Sequence, residues 1–192
     1  MRIKICGITR PEDAMYAEQC GADAIGVVMF SDSRRSVSPE TARAIFGSVG
    51  PFITTVAVTH TTSMEDLSAI LSLNPDAVQI FHPFSRAACG NAKVLRAIQP
   101  GDPRIAEADA VIIDESHGRG RKFDPGFFRE AAAKYRVPVI LAGGLTPANV
   151  ADAIRDLRPY AIDVASGVED RPGIKNREKV RDFIRACREI QE

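Results

Sequence analysis

Apolar positions along this chain do not alternate; they cluster. Eight short runs recur at intervals: RIKICGI (2–8), AIGVVM (24–29), FITTVAVT (52–59), AVQIF (77–81), a weaker AKVLRAI (92–98), AVIIDE (110–115), VPVILAGG (137–144) and AIDVASG (161–167). Near-continuous apolarity over four to eight residues is the pattern of strands covered on both faces, as in a parallel sheet. The intervening segments carry helix-start signals. Thr9 with Glu12 fits a capping box, and Ser63 with Asp66 is a shorter-armed version of it. Ser38–Pro39, Asp124–Pro125 and Thr146–Pro147 each set a capping oxygen before a proline at the first helical position, where the missing N–H is harmless.

Each of these five caps follows a different strand, so strand, cap and helix repeat as a βα unit. Eight such units in one domain predict an α/β fold of the closed (β/α)₈ TIM-barrel type, spanning 1–192, rather than an open doubly wound sheet. At 192 residues the chain is short for a fold that typically runs to ~250. Some helices must therefore be minimal, and the segment from Phe84 to Glu107 is where shortening is expected.

Charge narrows the function classes. Lys and Arg number 25 against 25 Asp and Glu, so no sequence-wide positive field exists for a nucleic acid backbone or an anionic membrane. A small soluble ligand is the better partner. Cys6, Cys20, Cys89 and Cys187 are widely spaced, without a C-x-x-C pair or zinc-finger histidines, which reads as free thiols in a reducing compartment. The first residues lack a signal-peptide core, and no apolar run approaches the ~20 residues of a membrane helix, so the expected setting is cytoplasmic.

In such barrels the chemistry sits at the C-terminal strand ends. Walking those ends gives Cys6, Arg35 after the second strand, Asp114, Gly143 with Gly144, and Ser166 with Gly167. The last four lie in the loops after strands seven and eight, a common phosphate seat in which small residues let backbone N–H groups approach an anion. Glycine pairs also simply end strands. Asp114 closes a buried run and suits a desolvated acid; it equally suits a helix cap or an ion pair with Arg119 or Arg121. HGRGRKFDP (117–125) reads as a loop over an anionic substrate or as solvated surface. Cys6 is either a small buried hydrophobe or a base, with Gly7 opening the rim beside its sulfur and the helix start near Thr9 tuning its thiolate. Arg35 offers a planar fork for a carboxylate or phosphate, whereas Arg34 reads as solvated charge.

KICGIT (4–9), SRRSVSPE (33–40), the VQ of AVQIF, IID followed by GRGRKFD, LAGGLTPANV (141–150) and AIDVASGVEDRPGIK (161–175) together resemble the phosphoribosylanthranilate isomerase family of tryptophan biosynthesis. The resemblance covers nearly the whole chain, and the ordered set is specific. It implies a (β/α)₈ barrel catalysing an Amadori rearrangement of a phosphosugar amine, without metal or organic cofactor. Sequence does not choose between a monomer and a homodimer. The resemblance also implies roles: Cys6 as general base, Asp114 as general acid, and Arg35 facing the anthranilate carboxylate. Gly143, Gly144, Ser166 and Gly167 fall on the phosphate loops, and Asp163 matches an aspartate that contacts substrate.

Three departures stand out. The family's VQLHG becomes Val78 to His82 with Phe81 in the histidine position, and His82, one residue along, faces the opposite side of the strand. The family's SPRYV reads Ser33 to Val37 without its proline and aromatic, and Thr59 replaces an aromatic. All are expected on the aglycone side. They leave open a paralogue acting on another phosphosugar amine. A non-catalytic phosphate-binding barrel is the alternative from another class, disfavoured because phosphate binding needs neither Cys6 nor Asp114. A metal-dependent epimerase is weaker still, since His60, His82 and His117 are the only histidines.

Overall fold

Parallel strands that are apolar on both faces have one face for an outer helical layer and one for a barrel interior. The computed structural model, which describes residues 1–99, 107–114 and 124–190, closes them in that way. In chain order the elements are β1 (Arg2–Cys6), α1 (Pro11–Gln19), β2 (Ala24–Met29), α2 (Pro39–Phe46), β3 (Thr54–Thr59), α3 (Met64–Leu71) and β4 (Ala77–Ile80). There follow β5 (Lys93–Ile98), β6 (Ala110–Ile113), α4 (Pro125–Lys134), β7 (Val139–Leu141), α5 (Val150–Leu157) and β8 (Ala161–Val164). Strands β1 to β8 form one closed barrel, all neighbours parallel, with β8 returning to β1 in a register that pairs Lys4 with Asp163. A small antiparallel pair, β9 (Glu169–Arg171) and β10 (Ile174–Lys175), follows β8, and α6 (Arg177–Arg188) ends the described chain.

The period of two sorts the side chains. Ile3, Ile5, Ile25, Val27, Val78, Ile80, Ile162 and Val164 face outward into the main core beneath the helices. Facing inward are two small clusters, Ala97, Ala110, Ile112, Ile140, Ala142 and Ala161 on one side and Cys6, Val28, Val56, Val58 and Ala77 on the other. Three inward positions are polar and buried: Lys4, Gln79 and Asp163.

The expected shortening is found after β4, where a single 3₁₀ turn, Ala87–Cys89, replaces a helix. Arg96 of β5 fills the space, donating to the carbonyls of His82 and Phe84. Residues 100–106 of that segment lie outside the described chain. Three expected caps form as read: Ser38 accepts from the Thr41 N–H, Ser63 from Glu65 and Asp66, and Asp124 from Gly126 and Phe127. Two do not. The N-cap of α1 is Arg10, without a side-chain acceptor, because the Thr9 hydroxyl is drawn away to the Gly173 carbonyl beyond β9. Thr146–Pro147 starts a turn instead of a helix; α5 begins at Val150, and the Thr146 N–H donates to Asn149 Oδ1 at 2.8 Å.

Candidate active site

Six of the side chains and glycines read as functional do converge on the C-terminal rim. Asp114, Gly143, Gly144, Asp163, Ser166 and Gly167 all line one narrow pocket of about 20 Å³. Consecutive left-handed backbone at Gly143 (φ +92°) and Gly144 (φ +63°) turns the chain sharply there, a conformation that glycine adopts without steric penalty. Gly167 lies against the opposite loop so closely that a methyl group on its Cα would be 1.8 Å from the Leu145 carbonyl oxygen. The two loops are thus pressed together backbone to backbone.

A wider cavity of about 820 Å³ adjoins it, sharing Ser166 and walled by Ser31, Arg34, Arg35, His60 and Glu169 among others. Arg35 forks onto Glu169, Nε to Oε1 at 2.9 Å and Nη2 to Oε2 at 2.7 Å. Lys175 completes this cluster: its ammonium donates to Glu169 Oε1 at 2.9 Å and to the Cys6 carbonyl at 2.6 Å. Burial pushes the Glu169 carboxyl up, but the Arg35 fork and the Lys175 ammonium outweigh it and hold the group below the ordinary carboxylate range. Gly7 leaves room for the Arg35 stem, since a methyl there would lie 2.5 Å from Arg35 Cδ. Its role is therefore broader than opening the rim beside sulfur.

Cys6 ends β1 buried, 7% exposed, against Val28, Val56 and Val58. Burial first, then the Asp163 carboxylate, push its thiol up, while Lys4 and Lys175 pull it down; the net direction is upward. The countervailing charges are two buried ammonium groups. Lys4 reaches across the barrel, donating to Gln79 Oε1 at 2.8 Å and Asp163 Oδ1 at 2.9 Å. Burial opposes its charge, yet Asp163 and Cys6 prevail and hold it above the ordinary lysine range.

The aglycone-side departures separate on inspection. Phe81 packs on the inward cluster around Cys6, and the His60 ring stacks on it at 4.1 Å and 20°. His82 faces away, edge-on to Phe84, as the one-residue shift requires. Thr59 is buried, with its hydroxyl engaged by the Phe30 carbonyl and the Thr61 N–H; its neighbour His60 is the residue at the cavity wall. The 117–123 part of the glycine-rich loop, with Arg119 and Arg121, lies outside the described residues. Cys89 and Cys187 are buried and Cys20 sits beside α1, away from the rim, and burial pushes the Cys187 thiol up to about 12.

Lys4, Gln79, Glu169, Lys175 and His60 were not assigned from sequence. A signal existed for the first two: a polar residue inside a strand buried on both faces must find a partner across the barrel.

Comparison with known proteins is consistent with this site. A family model described as N-(5'-phosphoribosyl)anthranilate (PRA) isomerase matches residues 3–186. An N-(5'-phosphoribosyl)anthranilate isomerase of Methanoregula boonei is 59% identical over 190 residues, covering 98% of this chain and 97% of the relative. The crystal structure of phosphoribosyl anthranilate isomerase from Thermus thermophilus superposes with a TM-score of 0.88 at 36% identity, covering 98% of each chain. A second isomerase structure, in complex with reduced 1-(o-carboxyphenylamino)-1-deoxyribulose 5-phosphate, gives a TM-score of 0.81 at 30% identity over 99% of this chain and 100% of its own.

Proposed function

The chain belongs to the N-(5'-phosphoribosyl)anthranilate isomerase family, and from that premise we propose that its rim carries out the Amadori rearrangement with Asp114 as acid and Cys6 as base. The substrate is N-(5'-phosphoribosyl)anthranilate and the product 1-(o-carboxyphenylamino)-1-deoxyribulose 5-phosphate, an aldose-to-ketose step of tryptophan biosynthesis. Asp114 protonates the furanose ring oxygen; the C1–O bond breaks and the nitrogen lone pair forms a Schiff base. Cys6 then takes the proton from C2, giving an enolamine that tautomerises to the ketone. The sequence is proton transfer throughout and asks for no metal or organic cofactor.

Gly143, Gly144, Ser166 and Gly167 bind the phosphate, and Asp163 meets the sugar beside them. The observation that carries this reading is the pocket that gathers Asp114, Asp163 and both glycine loops. Anthranilate fluorescence with freshly generated substrate tests it. Cys6→Ser and Asp114→Asn should each lower kcat by about 10²–10⁴-fold, and an active Cys6→Ser variant would refute the base assignment.

A second reading, the same chemistry on a different phosphosugar amine, is favoured by Arg35. Two of its nitrogens already engage Glu169, which leaves Nη1 to meet a substrate carboxylate. Turnover of the authentic substrate at ordinary rates would exclude this reading; its absence, with turnover of a phosphoribosyl amine lacking the carboxylate, would establish it. Either reading describes a cytoplasmic monomer or homodimer that binds no nucleic acid. Among the described residues, no helix is long and apolar enough to cross a membrane.

A further inference from the structure

Below the rim, inward-facing charges come from several elements. Among the described residues, three cations reach this layer: Lys4 of β1, Arg35 from the loop after β2, and Lys175 of β10. Two buried carboxylates meet them, Asp163 of β8 and Glu169 of β9. Gln79 of β4 contributes a neutral acceptor to Lys4, and Asp114 after β6 is the further titratable group whose charge is felt at both Asp163 and Arg35.

Cys6 meets this layer beside Lys4. A methyl group built on Gly26 would lie 2.8 Å from Cys6 Sγ, 2.9 Å from Lys4 Cε and 3.1 Å from Lys4 Nζ. Sulfur and ammonium therefore lie together over one glycine of the neighbouring strand, where any other residue would part them. We propose that Lys4 is a positioning residue for catalysis: fixed by Asp163 and Gln79, it supplies the positive charge against which the buried Cys6 thiol ionises. Without it, the thiolate loses the ammonium lying beside its sulfur and keeps only the Lys175 charge, so a buried anion is left poorly compensated, which low-dielectric surroundings disfavour strongly. The proton lost by Cys6 goes to solvent in the free enzyme. The thiolate so formed is the species that takes the C2 proton, so the inference rests on the assignment of Cys6 as base.

The test is the ultraviolet titration of the Cys6 thiolate in the free protein, each variant being read against its own Cys6→Ser counterpart. Lys4→Gln, which keeps a donor for Asp163 without the charge, should move the titration up by roughly 1–3 pH units. Asp163→Asn should move it down, and Lys4→Gln/Asp163→Asn should return it towards wild type. A merely structural lysine does not produce that return. Should Lys4→Gln fail to fold, the difference between Asp163→Asn and the double variant isolates the same charge. Coincident curves in either comparison overturn the proposal. An active Cys6→Ser enzyme would instead remove the base assignment while leaving the titration readable, so the two failures are distinguishable.

Discussion

Gly167→Ala is a single-methyl perturbation whose effect follows from geometry. The added Cβ would sit 1.8 Å from the Leu145 carbonyl oxygen and 2.9 Å from its carbon, both backbone atoms that no rotamer change can move. Ordinary contact begins near 3.4 Å, so the loops after β7 and β8 must part by about 1.6 Å. Hydrogen bonds to an oxyanion keep their strength over a donor–acceptor range of only about 0.5 Å, so parting the loops removes at least one of the N–H contacts proposed for phosphate. A hydrogen bond to a charged group is worth about 1.5–3 kcal/mol, which corresponds to a roughly 10- to 150-fold rise in KM. The anchor lies away from the reacting carbons, so kcat should change less than KM. Steady-state fluorescence kinetics give both parameters, and inhibition by inorganic phosphate reports the anchor alone. A folded Gly167→Ala enzyme with unchanged KM and unchanged phosphate inhibition would refute the placement of phosphate between these loops.

Gly26→Ala intrudes on Cys6 Sγ and Lys4 Nζ together, so kcat should fall by about 10²-fold with little change in KM, measured in the same assay. Glu169 has a folded-state pKa held below its unfolded value, so its stabilisation is complete above the ordinary carboxylate pKa of about 4.3 and is lost as pH falls through the folded value. Glu169→Gln should accordingly cost about 3 kcal/mol at neutral pH by leaving Arg35 and Lys175 partly uncompensated, with wild-type and variant urea midpoints converging in acid. His60→Ala removes the ring stacked on Phe81; a loss of about 0.5–1.5 kcal/mol of folding stability, read as a lower urea midpoint, is expected.

The barrel was legible because β1 to β8 are buried on both faces, and that condition writes itself into sequence as apolar runs. Even the weak AKVLRAI proved to be β5, with Arg96 turned outward into space that a helix would otherwise fill. The caps at Ser38, Ser63 and Asp124 were legible because they are local. Thr9 was misread because its hydroxyl answers to Gly173, 164 residues away, and no local pattern encodes such a partner. The same limit explains the site. Residues carried by short motifs (Cys6, Asp114, the glycine loops) could be nominated one by one. The Arg35–Glu169–Lys175 cluster and the Lys4–Asp163–Gln79 bridge exist only across elements, and a lysine in a strand reads as solvated until the barrel is closed around it.

Barrel closure also sets the order in which function can appear. Lys4 and Asp163 are 159 residues apart in the chain yet are neighbours in the ladder that joins β1 to β8. Bringing such distant points together carries a length-dependent entropy cost of about 4–5 kcal/mol, met only when the last strand docks. During vectorial synthesis Cys6 leaves the ribosome long before Asp163, Ser166 and Glu169. A nascent partial barrel therefore holds Lys4 without Asp163, and the loop after β7 without the loop after β8 that packs on it. Substrate and phosphate can act as folding ligands only for the closed form, stabilising the finished molecule by mass action and no intermediate before it.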